Sequence, residues 1–371
     1  MAITFLLRAL FTILSVAILI AAGALLYDWY EGDVIRTADG FVRVREDWEL
    51  YAGCALLAWS FLGRWPVLWL LARRDTDPSR PVRDGGREVQ SATGATLYIE
   101  DHGSPHAQPI ILTHGWSMDS TIWYYAKRDL AQTHRVLAWD LPGLGKSKRG
   151  DATVCLSSFA QDLKTVIAQV GDSRAILVGH SIGGMIIETL ARDDPAFFRR
   201  HVDKVVLCNT TYTNPLRTMI LPGLLQALRK PVIVPMMMLQ VWLSPLVWLM
   251  QWQSYLSGSQ HMAVRFGFGG HVTRSQLDHT ALLMTRNSPA VVARGDLAMI
   301  RWDGSAGVSG LVAPTLVLGG GVDIVTKLEA SEEIARRAPD ARLERVEGAN
   351  HMGPVEMHDR YNRAIAGFAC T

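Results

Sequence analysis

The sequence has 371 residues, 49% of them apolar and 19% charged, and its formal net charge is +2. This length and apolar content support one large folded domain with appendages and exclude a disordered or fibrous chain. Because the basic residues form no long run, we expect no nucleic-acid partner. Scattered cysteines without CxxC spacing, and the lack of a glycine motif for a nucleotide, predict reduced thiols, no metal and no cofactor.

The first element in chain order is an uncharged apolar run at residues 9–27. As a helix, its 19 residues would span roughly 28 Å, close to the thickness of a bilayer core. The run predicts a membrane helix. The alternative is a cleaved secretory signal, since Arg8 precedes the run and Ala22-Gly23-Ala24 has the small-x-small form of a cleavage site.

A second apolar run, residues 51–72, contains Arg64 and Pro66, which are costly or kinking at membrane depth. We expect it to cross the membrane or to lie in the interface, so residues 1–72 form the predicted anchor region. If both runs cross, the connection between them has seven acidic and three basic residues, and four arginines follow the second run. Positive residues favour the cytoplasmic side, which predicts a cytoplasmic catalytic domain; a single crossing reverses that inference.

Residues 73–87, rich in Arg, Asp and Pro, form the predicted linker. Beyond it, short apolar runs bounded by Gly, Pro and Asp alternate with helical stretches. This alternation predicts an α/β domain with a mostly parallel sheet covered by helices on both faces. The predicted strands lie in the segments TLYIE, PIILTHG, RVLAWDLPG, RAILVGHS, KVVLCNTT, PTLVLGG and ARLERVEG.

The segment Gly179-His180-Ser181-Ile182-Gly183 fits the pattern G-x-S-x-G directly after the apolar run AILV and before a helical stretch. In this context the pattern predicts a sharp strand-to-helix turn that presents Ser181 as a nucleophile. Such a turn strains the serine backbone and needs small neighbours, which Gly179 and Gly183 provide. The alternative is an ordinary glycine-rich turn with an unreactive serine.

A serine hydroxyl needs a base to take its proton, and the acid that orients this base should precede the histidine in the chain. His351, in the loop GANHMGP after the last predicted strand, is the candidate base. Asp323, 28 residues earlier and just after the strand TLVLGG, is the candidate acid. Asp296 and Asp303 are weaker candidates because they precede that strand.

Acyl transfer also needs two backbone N–H donors for the oxyanion. The first predicted donor is the amide of Ile182, directly after the nucleophile. The second is the amide of Trp116, in the turn after PIILTHG, where Gly115 permits close approach of the backbone. A plain strand-to-loop turn is the alternative for this segment.

Several segments together resemble the α/β-hydrolase superfamily: HGW at 114–116, DLPGLGKS at 140–147, GHSIGG at 179–184, Asp323, and GANH at 348–351. The resemblance covers residues 88–371 and implies the α/β-hydrolase fold. It also implies that Asp140 and Ser147 form a turn rather than act in catalysis. A serine nucleophile argues against epoxide hydrolase and haloalkane dehalogenase chemistry, and leaves esterase, lipase, thioesterase, lactonase and carbon–carbon bond hydrolase open.

The strands KVVLCNTT and PTLVLGG lie about one hundred residues apart, too far for a plain connection. The family places a cap here, so we predict a cap at residues 212–296 and a catalytic domain formed by residues 88–211 and 297–371. Residues 231–260 contain no charged side chain but four Met and three Trp. Pro235 and Pro245 are expected to break any third membrane helix in this segment.

This uncharged cap segment predicts a surface that dips into the bilayer and collects an acyl chain, with Met side chains fitting variable tails and Trp at headgroup depth. The alternative is a cap that packs on the catalytic domain or supports a dimer. With the N-terminal anchor, the layout is similar to membrane-anchored monoacylglycerol lipase-like hydrolases.

Three hypotheses follow. The first is a membrane-associated serine hydrolase that cleaves a lipophilic carboxylic ester, such as a monoacylglycerol or lysophospholipid, through an acyl-enzyme, with that ester and membrane lipid as its partners. The second is a lactonase or carbon–carbon bond hydrolase for a small cyclic or aromatic metabolite. The third, from another class, is a non-catalytic membrane scaffold or binding module.

Overall fold

The structure, a computed structural model, describes residues 2–371. The chain begins with a long apolar helix, an antiparallel two-stranded hairpin and two further helices: α1 (Ala2–Glu31), β1 (Asp33–Thr37), β2 (Gly40–Val44), α2 (Asp47–Leu62) and α3 (Arg64–Leu71). By length and composition, α1 alone could cross a membrane. α2 and α3 meet that criterion only as a pair, which is bent by 66°.

α2 runs back alongside α1, so that the two helices form a helical hairpin with β1 and β2 at its tip. They pack closely at Gly53, where an added Cβ would be 2.8 Å from Leu26 Cγ. At the base, the Ser15 hydroxyl is 2.6 Å from Ser257 Oγ, and a Cβ at Gly63 would be 2.5 Å from the Ser257 carbonyl oxygen. Both helices therefore meet the rest of the protein at the same place.

The central sheet has eight strands in the order β10-β9-β8-β7-β5-β6-β4-β3. They are β3 (Arg87–Gln90), β4 (Thr96–His102), β5 (Pro109–Thr113), β6 (Arg135–Trp139), β7 (Ala175–His180), β8 (Val202–Cys208), β9 (Thr315–Gly320) and β10 (Ala341–Val346). β4 pairs antiparallel with β3 and β6, and the other neighbours are parallel, which confirms the mostly parallel sheet. β5 and β7 are buried throughout, as their continuous apolar sequences require.

Helices cover both faces of this sheet. They are α4 (Tyr124–Leu130), α5 (Leu156–Ile167), α6 (Ile182–Asp193), α7 (Pro195–His201), α8 (Pro222–Leu228), α9 (Val234–Trp242), α10 (Ser244–Leu256), α11 (Ser259–Arg265), α12 (Arg274–Arg286), α13 (Pro289–Arg301), α14 (Ser305–Ser309), α15 (Leu328–Arg337), α16 (Gly353–Glu356) and α17 (His358–Ala369). Neighbouring strand residues point to opposite faces: Ile111 packs in the core that contains α5 and α6, whereas Ile110 and Leu112 pack in the core that contains α4 and α17.

The insertion between β8 and β9 contains α8–α14. The chain is helical from Pro222 to Trp242 and then bends by 99° into α10, so that α8–α10 could form a span only as a bent pair. Pro235 does not interrupt the helix, contrary to the prediction, because a π-helical turn at Arg229–Ile233 directly precedes α9 and relieves the clash of the proline ring. Pro245 does mark the break, since it lies in the first turn of α10.

The segment predicted as a linker is attached to the cap and to the catalytic domain. Asp75 Oδ1 accepts a hydrogen bond from the Ser275 amide at 2.9 Å, and Arg83 pairs with Asp140 at 2.8 Å. β3 begins at Arg87, the last residue of the predicted linker. The predicted end of the cap, residue 296, lies inside α13.

Candidate active site

Ser181 lies in a strained turn between β7 and α6. Its backbone has a φ of 54° and a ψ of −118°, a conformation that residues with side chains rarely adopt. The turn leaves no room for side chains beside it: an added Cβ at Gly179 would be 2.5 Å from the Gly183 carbonyl carbon, and one at Gly183 would be 2.4 Å from the Thr113 carbonyl oxygen. This turn therefore requires glycine at both positions.

His351 and Asp323 continue a line of hydrogen bonds that begins at Ser181. Ser181 Oγ is 3.1 Å from His351 Nε2, and His351 Nδ1 is 3.0 Å from Asp323 Oδ2. The three residues follow β7, β9 and β10, whose carboxyl ends meet at one edge of the parallel sheet. The fold thus brings the predicted nucleophile, base and acid together.

Asp323 is surrounded by hydrogen-bond donors. Its Oδ1 accepts from the Val325 and Thr326 amides at 2.7 and 2.9 Å, and its Oδ2 accepts from the Thr326 hydroxyl and the Asn209 side chain at 2.7 and 3.0 Å. Burial acts to raise the pKa of Asp323, but the adjacent His351 and the hydrogen bonds from His351 and Thr326 hold that pKa below its usual value. The carboxylate is therefore ionised at neutral pH and can orient the imidazole.

Asn209, which the sequence analysis did not single out, connects three parts of this site. Its Nδ2 donates to Asp323 Oδ2 and to the Asn350 carbonyl oxygen, both at 3.0 Å, and its Oδ1 accepts a hydrogen bond from the Tyr361 hydroxyl at 2.5 Å. These partners are 114 to 152 residues away in the chain. The only local signal was an asparagine directly after the buried strand β8.

The two predicted oxyanion donors belong to two different turns, and Trp116 lines the same cavity as Ser181. The Ile182 amide is the first of α6, and the Trp116 amide lies in the turn after β5. Within residues 2–371, neither amide donates a hydrogen bond to another backbone group, so both can serve a ligand. The backbone passes close to His180 here, since a Cβ at Gly115 would be 2.7 Å from His180 Nδ1. The Trp116 indole donates to the Val292 carbonyl oxygen at 3.0 Å, which fixes this loop.

Two further buried histidines support these loops. His180 Nε2 donates to the His351 carbonyl oxygen at 2.9 Å. Burial, reinforced by the neighbouring His351, lowers the pKa of His180 to about 3, so that it stays neutral. His114 Nδ1 donates to the Gly115 carbonyl oxygen at 2.8 Å, and His114 Nε2 accepts from the Leu141 amide at 3.0 Å. Both ring nitrogens of His114 and Nε2 of His180 are thus occupied in structural contacts.

Ser181 and His351 open into a cavity of about 290 Å³, near the lower end of the range for small-ligand sites. Its walls come from α9, α10, the turn after β5 and the N-terminal half of α1. Arg8 and Asp296 are the only Arg, Lys, Asp or Glu side chains of the described chain that line it. Five methionines contribute to the lining: Met118, Met236, Met250, Met284 and Met352.

The other acidic candidates lie outside the line of hydrogen bonds. Asp296 faces the cavity from α13, and Asp303 is exposed and accepts a hydrogen bond from the Ser305 amide. The Ser147 hydroxyl donates to the Asp140 carbonyl oxygen at 2.6 Å, a contact that shapes a turn. One group of potential metal ligands lies outside the cavity: Asp129, His358 and Asp359.

Comparison with known proteins agrees with this architecture. A family model described as alpha/beta hydrolase fold matches residues 108–356. The chain is 23% identical over 290 residues to a pimeloyl-[acyl-carrier protein] methyl ester esterase of Nitrosospira multiformis, which covers 74% of this chain and 98% of that protein. It is 26% identical over 286 residues to the AB hydrolase superfamily protein YisY of Bacillus subtilis, with 76% and 99% covered.

A solved structure shows the same fold. The esterase from Exiguobacterium antarcticum superposes with a TM-score of 0.63 at 20% sequence identity, over 77% of this chain and 100% of that one. At this identity the likeness concerns the fold alone. The family match covers most of the chain, and α1, α2 and α3 precede it. The chain therefore belongs to the alpha/beta hydrolase fold family.

Proposed function

We propose that this protein is a membrane-associated serine hydrolase that cleaves a lipophilic carboxylic ester through an acyl-enzyme. The observation that carries the proposal is the hydrogen-bonded line Ser181, His351 and Asp323 at the edge of an apolar cavity. Membership of the family supports ester hydrolysis, as does the match to an esterase that is covered along nearly the whole of its own length.

In the first half of the proposed cycle, Ser181 Oγ attacks the ester carbonyl carbon while its proton passes to His351 Nε2. The amides of Trp116 and Ile182 donate to the resulting oxyanion. His351 then returns the proton to the departing alcohol oxygen, and the acyl group stays on Ser181. In the second half, a water molecule loses a proton to His351 and attacks the acyl carbon. His351 then returns that proton to Ser181 Oγ as the bond between Oγ and the acyl carbon breaks, which releases the acid and restores Ser181.

The character of the cavity supports a lipophilic substrate. Most of its lining is apolar, and its methionines can adjust to tails of different shape. A monoacylglycerol or a lysophospholipid combines one acyl ester with one tail and suits such a cavity. A small cyclic ester would use the same three residues. The dependence of the rate on acyl chain length distinguishes the two kinds of substrate.

Membrane association is supported by the helical hairpin. The 16 residues of α2 rise roughly 24 Å, most of a bilayer core. Aromatic side chains suited to the two interfaces lie at its tip and its base: Tyr27, Trp29, Tyr30, Trp48 and Tyr51 at the tip, and Trp59, Trp65 and Trp69 at the base. Because residues of α1 line the cavity beside Ser181, cleavage after Ala24 would remove part of the site, which favours an anchor over a signal peptide.

The experiment compares wild type and Ser181→Ala in detergent, using p-nitrophenyl esters from acetyl to palmitoyl. We expect activity that depends on Ser181 and rises toward long chains. If the Ser181-dependent activity is confined to the shortest esters, the substrate is a small metabolite rather than a lipid. Equal rates for the two proteins would contradict a serine mechanism and favour the non-catalytic alternative.

A further inference from the structure

We propose that the N-terminal half of α1 is a substrate-binding element, and that the acyl chain of a membrane lipid ester enters the cavity directly from the bilayer, between α1 and the corner where α9 meets α10. This inference rests on the proposed function and specifies how its substrate is bound. It gives the predicted membrane anchor a second role, as one wall of the active site.

The first observation is that α1 lines the cavity together with the nucleophile. Phe5, Ala9 and Ile13 recur at every fourth position of α1 and so share one face of the helix. All three line the same cavity as Ser181. The cap contributes its own apolar lining residues to this cavity: Leu239, Leu243, Leu246 and Met250.

The second observation locates the mouth of the cavity. Four of its lining side chains are also largely exposed and therefore form its rim: Ile13 by 58%, Leu239 by 56%, Leu243 by 41% and Leu246 by 53%. All four are aliphatic. If this rim faced water, it would be an unusual exposed apolar patch. If it faces lipid tails, its apolar side chains are not exposed to water.

The rim continues into surfaces that suit a bilayer. Beyond Ile13, α1 carries no charged residue before Asp28, and its side chains Leu14 and Ile20 are exposed. On the cap side, the corner between α9 and α10 exposes Trp242, an aromatic residue typical of the headgroup region. The mouth thus lies between the uncharged stretch of α1 that follows Arg8 and an interfacial corner, so that a single acyl chain can enter it from the bilayer.

The third observation is that α1 is fixed against the cap rather than loosely adjacent to it. Phe5 is buried in a cluster with cap residues. Arg8 donates to the Met284 carbonyl oxygen at 3.1 Å, and the Ser15 hydroxyl donates to Gln253 Oε1 at 2.5 Å. Because these contacts lie on both sides of Ala9 along the helix, this wall holds a defined position.

The test places a large side chain on the wall. Ala9→Trp projects into the cavity, whereas Ala17→Trp makes the same change two turns further along α1, at an exposed position outside the cavity. We expect Ala9→Trp to lower the ratio of palmitoyl-ester to acetyl-ester hydrolysis by about tenfold or more, because pockets discriminate at the level of single methylene groups. Ala17→Trp should leave this ratio at the wild-type value. Ala9→Leu, a smaller intrusion, should give an intermediate ratio and serves if the Trp variant does not fold.

A binding measurement makes the inference independent of turnover. In the Ser181→Ala protein, a fluorescent palmitic acid analogue supplied in phosphatidylcholine vesicles should bind, and adding Ala9→Trp should weaken that binding while adding Ala17→Trp should not. If Ala9→Trp folds and keeps both the wild-type chain-length ratio and the wild-type binding, α1 does not form a wall of the binding site. That result would leave the proposed hydrolase function unaffected. If the wild type cleaves no ester, the proposed function fails, and the binding comparison still decides the role of α1.

The bilayer route has its own control. Leu243→Glu puts a charge on the rim, and Leu249→Glu puts one on an exposed position of α10 that does not line the cavity. With palmitoyl ester embedded in vesicles, Leu243→Glu should slow hydrolysis more than Leu249→Glu. Equal losses would overturn entry at this rim and indicate only weaker membrane contact.

Discussion

At the scale of single residues, the role of Asp323 is to hold His351 with its proton on Nδ1, so that Nε2 can accept the proton of Ser181. In Asp323→Asn, the side-chain amide would donate to Nδ1 and favour the opposite tautomer. We expect kcat to fall by about 10⁴-fold, with the fold retained. The measurement is steady-state hydrolysis of p-nitrophenyl butyrate, with the exposed Asp303→Asn as control. A loss below about tenfold would remove Asp323 from the proposed mechanism.

Glu188 gives a second prediction at this scale, on stability rather than activity. Both of its carboxyl oxygens are buried without a hydrogen-bond partner, and burial raises its pKa well above the ordinary value of 4.5. The folded state therefore binds this proton more tightly than the unfolded state does. Stability should fall as pH rises above 4.5, by about 1.4 kcal/mol per pH unit until the raised pKa is reached.

Glu188→Gln removes this titration, so its free energy of unfolding relative to wild type should increase between about pH 5 and about pH 8. The measurement is thermal unfolding of both proteins across that range. Glu344→Gln, at an exposed position on β10, is the matched control and should show no such trend. A difference between Glu188→Gln and wild type that stays constant with pH would show that Glu188 titrates normally.

The sequence was informative about some residues of the site and silent about others. Ser181 was identifiable because the strained turn imposes glycines at fixed positions beside it, and His351 and Asp323 because each directly follows a predicted strand. Asn209 was not, since its three partners are distant in the chain and an asparagine after a strand has no distinguishing pattern. Its role arises only when three loops meet.

At the scale of elements, the close packing of α1 on α2 depends on Gly53. A side chain there would meet Leu26 at 2.8 Å and force the helices apart, whereas Gly23, on α1, has nothing within 4 Å. We expect Gly53→Leu to lower the melting temperature in detergent clearly and Gly23→Leu to leave it almost unchanged. Similar shifts for the two variants would indicate that α1 and α2 do not pack as described.

The elements that followed from the sequence are those with a strong apolar pattern. The seven predicted strands are present, and six of them are buried or half-buried runs of apolar residues. The seventh, β10, is a mostly exposed edge strand in which only Leu343 and Val346 interrupt the polar sequence after Ala341. β3, with the sequence REVQ, was missed because it is a mostly exposed edge strand without such a run. The continuous helix through Pro235 was also missed, because a π-helical turn ahead of a proline leaves no trace in the hydrophobic pattern.

For the molecule as a whole, we propose that both helices of the hairpin cross the membrane, which places the catalytic domain in the cytoplasm and the β1–β2 tip outside. A membrane-impermeant maleimide tests this in intact cells, in a Cys54→Ala background. The cysteine introduced by Asp39→Cys at the tip should react from outside, while the exposed native Cys370 should react only after permeabilisation. Reaction of Cys370 in intact cells would contradict the proposed topology.

The contact between α1 and the cap is the feature that the sequence could not indicate. Apolar runs at residues 9–27 and 231–260 each predicted an encounter with lipid, and neither run carries a pattern that pairs it with the other. The structure joins the two through long-range contacts such as Ser15 with Gln253. As a result, the catalytic domain, the cap and the anchor region contribute to one cavity.

Ser181 is the proposed nucleophile of this cavity, and covalent labelling identifies the reactive serine without any assumption about the substrate. Full-length protein in detergent is treated with a fluorophosphonate, digested, and examined by peptide mass spectrometry. We expect one adduct, on the peptide containing Ser181, which is lost in Ser181→Ala and strongly reduced in His351→Ala. If folded wild-type protein stays unlabelled while control serine hydrolases react, or if the adduct is on another serine, Ser181 is not the nucleophile.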